Sequence, residues 1–321
     1  MPSALFYLDR TQDQVAAEAI SVSYGRDFAE LRASIAQIGI VSPLLVRRAG
    51  LQWQIISGKG RWLVSDCVRL PAIELHCTER EAFDFHIHDN LARGFNPIEC
   101  ARIFQKLQEQ FGEPSETLVR YARLLKLPEG VRTILDHLAL LRLPSRLIDK
   151  IASNALSLRS GSILLDFPPD EALLLSDLSD KLRLSAATQR EVFTLVWELA
   201  HRDNKTVIGL LQQPELRSFI ETDYANSGQA KAAGEIFFRQ LHTIKNPRLT
   251  QAEQAFEQVL HEQHCQSPLI ISPAPSFEKE EISVEFRCKS AASFRKMVAL
   301  LHQLEQSQGI EKLFQITQHR E

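Results

Sequence analysis

"IISGKGRW", residues 55–62, runs an apolar strand into a glycine-rich bend that carries two basic residues, and a helical pattern follows. Glycines at 58 and 60 let backbone N–H groups approach an anion closely. The nearby helix start adds its positive end, and Lys59 and Arg61 add full charges. The same residues also suit a plain tight turn between strand and helix, so the flanks have to decide. The bend is not a Walker loop, because Gly-x-x-x-x-Gly-Lys-Ser/Thr is absent.

Upstream, "SPLLVRR" reads as a strand beginning after Pro43, and a turn at Ala49-Gly50 leads into the strand "WQIIS". Before that, Asp27 and Glu30 bracket a helix start. Phe28, Leu31, Ile35 and Ile38 share one face of this helix, and Gly39 closes it. Downstream of the bend, residues 61–68 are helical in pattern and "PAIELHC" returns to strand. "REAFDFHIHDNLARGF" is a helix offering Ala82, Phe83, Ile87 and Leu91 for burial. Helices and strands alternate, which predicts a small α/β domain over residues 1–95.

At Asn96 the character changes. "NPIE" opens a helix, with Asn96 as cap, Pro97 in the first position and Glu99 reaching back to the cap. From there to residue 201 the periodicity is helical only, broken by Leu-Pro at 127–128 and again at 143–144. Residues 202–248 are polar and weakly patterned, and predict a helical linker. Over residues 249–321, "AEQAFEQVL" is a helix and "ISVEFRC" alternates as a strand. "SAASFRKMVALLHQLEQ" is a helix with Phe294, Met297, Leu300, Leu301 and Leu304 in a stripe. This last module, a small α/β unit, has little core of its own and is expected to complete it against a second copy.

Composition narrows the function classes. The chain carries 37 basic and 40 acidic residues, a balance that lacks the overall basic signature of nucleic-acid binding. Between Ser115 and Ser160, however, eight basic residues face four acidic ones, and local charge steers binding more than the total does. No apolar run reaches the ~18 residues of a membrane span. The start "MPSALFYLDRTQ" lacks the pattern of a secretory signal, so a cytoplasmic location and no membrane partner are expected. Cys67, Cys77, Cys100, Cys265 and Cys288 are scattered without a Cys-x-x-Cys, which suits reduced thiols. His86 and His88 are two residues apart, point to different faces of a helix, and are expected to be structural. Trp53 and Trp62 flank the bend and suit either stacking on a base or ordinary packing.

Taken in order, "SIAQIGIVSPLLV", "QIISGKGRW", "DNLARGFNPIECARIFQKLQEQFG", "ALLRLPSRLIDKIASNALSLRSGSILLDFPPDE" and "KLRLSAATQRE" resemble the ParB-like partition proteins. "FEKEEISVEFRCKSAASFRKMVALL" looks like that family's dimerisation module, with lower specificity. The resemblance implies an α/β N-terminal domain of ParB/sulfiredoxin-like fold that binds CTP with Mg2+. An all-α helix-turn-helix domain for double-stranded DNA and a small α/β C-terminal dimerisation domain would follow. It further implies a homodimeric clamp in chromosome or plasmid segregation, nucleoid-associated, working with a ParA-like Walker ATPase. Alternatives are a ParB-like transcription regulator or plasmid factor that binds DNA without nucleotide, and a CTPase whose helical domain binds protein. Sulfiredoxin chemistry needs a cysteine in the phosphate loop, and residues 58–61 contain none.

The family's phosphate box is Gly-Glu-Arg-Arg, and here it is Gly58-Lys59-Gly60-Arg61, so one guanidinium fork is lost. The Glu-Asn-x-x-Arg motif appears as Asp89-Asn90-Leu91-Ala92-Arg93. The resemblance makes Arg93 a phosphate contact on the same helix face as Asn90, Asn90 a Mg2+ ligand, and Asp89 the catalytic carboxylate. Aspartate in place of glutamate shortens the reach by one methylene, which predicts weak or absent hydrolysis with binding retained. By family order one helix covers about 116–125 and the recognition helix about 129–141, with Pro128 at the turn and no turn glycine apparent. Arg132 and Thr133 are the implied base contacts, and Arg120, Arg123 and Lys126 the implied phosphate contacts.

Overall fold

The computed structural model describes residues 5–262, 269–274 and 279–318. It divides into two compact units, Met1–Phe193 and Thr194–Glu321.

In the first unit, β1 (Leu5–Asp9), β2 (Val15–Ala16), β3 (Leu44–Ala49), β4 (Gln52–Ser57) and β5 (Arg69–Glu74) form one sheet in the order β1-β5-β3-β4-β2. β3 and β4 are an antiparallel hairpin closed at Gly50 (φ +63°), while β3 pairs with β5 in parallel. Three helices accompany the sheet: α1 (Ala29–Ile38), α2 (Lys59–Val64) and α3 (Glu79–Asn90). β1 and β2 were not foreseen; β2 is two residues long, too short for any periodicity to register.

Register explains how the end of β4 reaches the bend. Leu45 faces Ser57 but Val46 faces Ile55, so Ile56 is an extra residue in β4. Such a bulge re-aims the strand, and it lets two consecutive isoleucines be buried. Ile55 packs with Leu44, Val46, Trp53 and Leu70, whereas Ile56 packs with Phe83 and Ile87 of α3. Both are 0% exposed.

Beyond α3 the unit is helical: α4 (Pro97–Gln105), continuing as one π-turn (Lys106–Gln110), then α5 (Ser115–Leu124), α6 (Val131–Leu140), α7 (Ser145–Ala152), α8 (Leu158–Leu164) and α9 (Pro169–Lys181). α10 (Ala186–Arg202) spans the division between the two units. The cap expected at Asn96 is present, with Glu99 N–H donating to Asn96 and Asn96 N–H donating to Glu99. The Asp27 cap sits differently: Phe28 occupies the cap position, and Asp27 accepts from Ala29 N–H at 2.9 Å. Residue 95 marks a change of element type without a break in the core. Ile56, Phe83 and Ile87 share one apolar cluster with Ile103, Phe104, Leu107 and Leu118.

The second helix of the hairpin starts two residues later than expected. Gly130 has φ +137°, outside the helical region, so α6 begins at Val131 and not at Glu129. Lys126 also takes positive φ (+59°) where α5 ends. The turn therefore does hold a glycine, placed after Pro128 where a proline-started helix concealed it.

In the second unit, α11 (Val207–Leu211), α12 (Pro214–Glu221), α13 (Ser227–Lys245) and α14 (Pro247–Glu262) precede an antiparallel pair, β6 (Leu269–Pro273) and β7 (Ile282–Phe286). α15 (Ala291–Gln306) and α16 (Gly309–Gln318) follow. The stretch expected to be a linker has buried residues of its own, since α13 buries Ala230, Ala233, Phe237 and Leu241. The last module also has more core than expected: Phe256, Leu269, Ile271, Met297, Leu304 and Leu313 pack together. Of the α15 stripe, Met297 and Leu304 are buried and Phe294 stays 51% exposed. Cys265 and the start of the resembling segment at Phe277 lie outside the described residues. The described cysteines Cys67, Cys77, Cys100 and Cys288 are free thiols. No described helix is long and apolar enough to cross a membrane.

Candidate functional site

Gly58 caps α2 with φ +98°, a conformation that L side chains rarely adopt. A Cβ there would lie 2.5 Å from Leu44 Cδ2 and 2.7 Å from Arg61 Nη2. The space a side chain would need is thus taken by the Arg61 guanidinium, folded back over the bend. Gly60 is bare for another reason. Its Cβ would sit 2.8 Å from Phe28 Cε1 and 3.0 Å from Leu31 Cδ2, so it lets α1 close on α2. One glycine shapes the loop, and the other packs a helix.

The bend 58–61 opens on a cavity of about 430 Å³. Asp89, Asn90 and Arg93 line it from the far side, which brings together all seven residues implied for phosphate, metal and catalysis. α3 ends at Asn90, so Arg93 lies in the turn beyond it and not on the helix face expected for it. Its side chain is still placed by Asn90, whose Oδ1 accepts from Arg93 Nε at 3.1 Å. Arg26, which no motif flagged, also lines the cavity. Its guanidinium donates to Gly94 O at 2.9 Å and to Glu99. With Arg26, the wall holds four cationic side chains (Arg26, Lys59, Arg61 and Arg93) and two carboxylates, Asp27 and Asp89.

How free each charge is differs. Lys59 is ion-paired with Glu18 and is the weakest of the four as an anion contact. Arg61 forms no close ion pair among the described residues; burial pushes its guanidinium below its ordinary value, with Asp89 opposing. Arg26 and Arg93 share Glu99, whose side chain is 0% exposed. Burial works against ionising Glu99, but the hydrogen bond from Arg26 and the charge of Arg93 outweigh it and hold the carboxyl below its usual range. Asp89 accepts a hydrogen bond from Ser57 Oγ. Asn90 is committed at both ends, its Nδ2 donating to His86 O at 2.8 Å and its Oδ1 taken by Arg93. A magnesium ion carrying phosphate oxygens needs only one or two carboxylates from protein. Asp89 meets that requirement, while Asn90 would have to release Arg93 first. Among the described residues no group of three or more His, Cys, Asp or Glu could hold a metal without such a ligand.

His86 is buried behind the cavity, its Nδ1–H donating to Ile56 O at 2.7 Å and its Nε2 accepting from Val22 N–H at 3.4 Å. His88 is exposed. Burial lowers the His86 pKa from 6.5 to about 4. The unfolded imidazole therefore takes up a proton first as pH falls, so stability is full above the ordinary value and lost between the two. Urea unfolding should show a loss of up to about 3 kcal/mol from this group between roughly pH 6.5 and 4. A flat profile across that window would contradict the buried, neutral ring.

Neither tryptophan lines the cavity. Trp53 is buried against Phe6 with ring centroids 5.0 Å apart, and Arg48 lies 3.8 Å over its ring. Trp62 is covered by Arg10 at 4.4 Å.

The residues implied for DNA sit on α5, α6 and the turn between them. Arg120, Arg123, Lys126 and Arg132 are exposed, and Thr133 is half-buried. Two are engaged by the chain's own carboxylates. Arg123 donates twice to Glu129 at 2.8 Å, and Arg132 lies 2.8 Å from Asp136 one turn along α6. Arg120 donates to Thr117 Oγ1 at 3.1 Å. Exposed pairs of this kind are worth only about 0–1 kcal/mol, so a phosphate can displace them.

A scan against family models finds no match. Curated relatives do match. The chromosome-partitioning protein ParB of Myxococcus xanthus is 32% identical over 169 residues, 51% of this chain and 55% of that protein. The probable chromosome 1-partitioning protein ParB of Deinococcus radiodurans is 34% identical over 138 residues, 39% of this chain and 48% of that protein. The chain thus spans about half the length of the curated relatives it matches. A crystal structure of C-terminally truncated ParB from Caulobacter crescentus complexed to the centromeric parS site overlaps 59% of this chain and 98% of its own, with 17% identity and a TM-score of 0.36.

Proposed function

From the premise that this chain is a divergent member of the ParB-like family, we propose that it is a dimeric, DNA-binding, nucleotide-responsive protein of chromosome or plasmid partition. The observation that carries the nucleotide half is the cavity at Gly58. A left-handed glycine, the Arg61 guanidinium above it, and Arg26 and Arg93 opposite form a concave site with an excess of cationic groups. That is the chemistry of a polyphosphate site, and the family resemblance selects CTP. Arg61, Arg93 and Arg26 would hold phosphates, and Asp89 would hold a magnesium ion, which when bound would neutralise phosphate charge. Hydrolysis would be slow, because Asp89 stands where the family has a glutamate and reaches one methylene less far. Calorimetric titration with CTP in the presence of magnesium tests the reading, and an absence of heat at millimolar nucleotide would leave the DNA-only regulator standing.

The DNA half rests on the α5–α6 hairpin. Mixed-sequence duplex should bind with a steep salt dependence, because affinity comes from counterion release at each phosphate contacted. Arg132→Ala should cost roughly 1–3 kcal/mol on a specific site if this side chain reads a base. Electrophoretic shifts with the variant decide this, and an unchanged affinity would move recognition off α6. Should duplex not bind at all, the reading favoured would be a phosphate-utilising enzyme whose helical part binds protein.

The second unit supports pairing. Ile270, Val284, Phe294 and Val298 of the β6–β7–α15 module are 59%, 41%, 51% and 46% exposed. Truncation before Leu249 should give a monomer by sedimentation, and a persisting dimer would place the interface elsewhere. A ParA-like Walker ATPase belongs to this reading as a partner.

A further inference from the structure

We propose that a second cleft, bounded by the turn after α5 and by α4, α6 and α8, binds a small apolar anion: an aromatic or alkyl carboxylate or sulfonate. The cleft has a volume of about 610 Å³ and lies wholly within the first unit. That size falls in the range of roughly 300–1,000 Å³ typical of small-molecule sites. It shares no residue with the cavity at Gly58.

Its lining is of two kinds. Phe95, Leu127, Leu158 and Ile163 supply apolar wall. Two buried titratable residues also line it, and burial disfavours the charged form of each. Burial lowers the His137 imidazole, which also bonds to Thr133 O at 2.7 Å, and pushes the Cys100 thiol up to about 12. The interior therefore offers an anion's apolar body no charge to desolvate. Of the arginines in the lining, Arg132 and Arg159 are exposed and Arg190 is half-buried, with Asp136 the one carboxylate in the lining. Asp136 is already paired with Arg132 at 2.8 Å. Arg159 is exposed and forms no ion pair among the described residues. An apolar pocket with the exposed Arg159 guanidinium in its lining suits a ligand with an apolar ring or chain and one anionic head.

The position gives such a ligand a consequence, which rests on the DNA reading above. Arg132 and Thr133 belong both to the cleft and to the proposed duplex contact. An occupant that draws Arg132 inward competes with a phosphate or base edge for the same side chain. The site would then act as an effector pocket, lowering affinity for duplex.

Calorimetry on the full chain with 2-naphthalenesulfonate and with the neutral 2-naphthalenemethanol tests the proposal. One equivalent of the sulfonate should bind, about tenfold or more tighter than the alcohol. Arg159→Ala should weaken the sulfonate about tenfold and leave the alcohol and the melting temperature unchanged. Ile163→Trp should block both; if it fails to fold, Ser162→Phe fills the same space from the half-buried side of α8. Arg61→Ala should bind the sulfonate as wild type does. Absence of saturable binding to wild type, or binding by Arg159→Ala and by the filled variant that equals wild type, overturns the site. Displacement of a labelled duplex by the sulfonate is the expected second readout. Failure of the duplex to bind at all would sink the DNA reading alone, because the calorimetry judges the cleft independently.

Discussion

Glu99→Ala is expected to destabilise the first unit by roughly 3–5 kcal/mol, the range for removing one partner from a buried charge network. Four groups converge on this carboxylate. Arg26 donates to it from Nε at 3.0 Å, Arg93 from Nη1 at 3.1 Å, Tyr24 N–H at 3.3 Å and Asn96 N–H at 3.0 Å. Truncation leaves two guanidinium groups facing one another and removes one of the two reciprocal hydrogen bonds that cap α4, the one from Asn96 N–H. The arginines are 27% and 32% exposed, so they can turn toward water, which places the effect nearer the lower end of that range. Glu99→Gln keeps an acceptor for the Asn96 N–H and should cost about half as much. Urea denaturation of both variants measures the difference. A loss below about 1 kcal/mol for the alanine variant would mean the network contributes no more than a surface pair.

Much of this network was legible in one half and invisible in the other. Asn96-Pro97-Ile98-Glu99 announces a capped helix because both partners of the reciprocal hydrogen bonds lie within one turn. Arg26 is 73 residues from Glu99 in sequence, and nothing local marks it. Motif reading finds residues whose spacing is set by a helix or a turn, and it misses those delivered by tertiary packing. The bend shows the same division. Gly58 and Arg61 were readable as a phosphate loop, and the geometry adds that the guanidinium fills the space above the glycine. Gly60 looked equivalent to Gly58, yet it serves the packing of Phe28 and Leu31 from a helix more than 25 residues upstream. Charge counting misled in another way. The local excess between Ser115 and Ser160 is real, but Arg123 pairs with Glu129 across the turn, a contact set by the hairpin's three-dimensional form, and Arg132 pairs with Asp136 one turn along α6, which charge counting without helix spacing overlooks. The turn glycine was missed because Pro128 is a good first residue for a helix, and only the backbone angle at Gly130 rules that start out.

Arg61→Ala should weaken CTP binding about 100-fold while leaving the fold intact. The family's box would supply two adjacent guanidinium groups, and this chain keeps one in the loop, so more of the binding energy falls on it. Lys59 cannot substitute, because its ammonium is held by Glu18 and offers a point charge in place of a planar fork. Arg26 and Arg93 cannot fully compensate either, since both are tied to Glu99 on the opposite wall. A charge-assisted pair of hydrogen bonds to phosphate, made from a partly desolvated position, is worth about 3 kcal/mol. That figure corresponds to the 100-fold loss. Arg61→Lys separates charge from geometry, and an intermediate loss of about tenfold is expected for it, because the charge remains and the fork does not. DNA affinity should be nearly unchanged in both variants, as the proposed duplex contacts lie on α5 and α6. Equal CTP affinity in wild type and Arg61→Ala, with melting temperatures matched, would return the bend to a plain strand-to-helix turn.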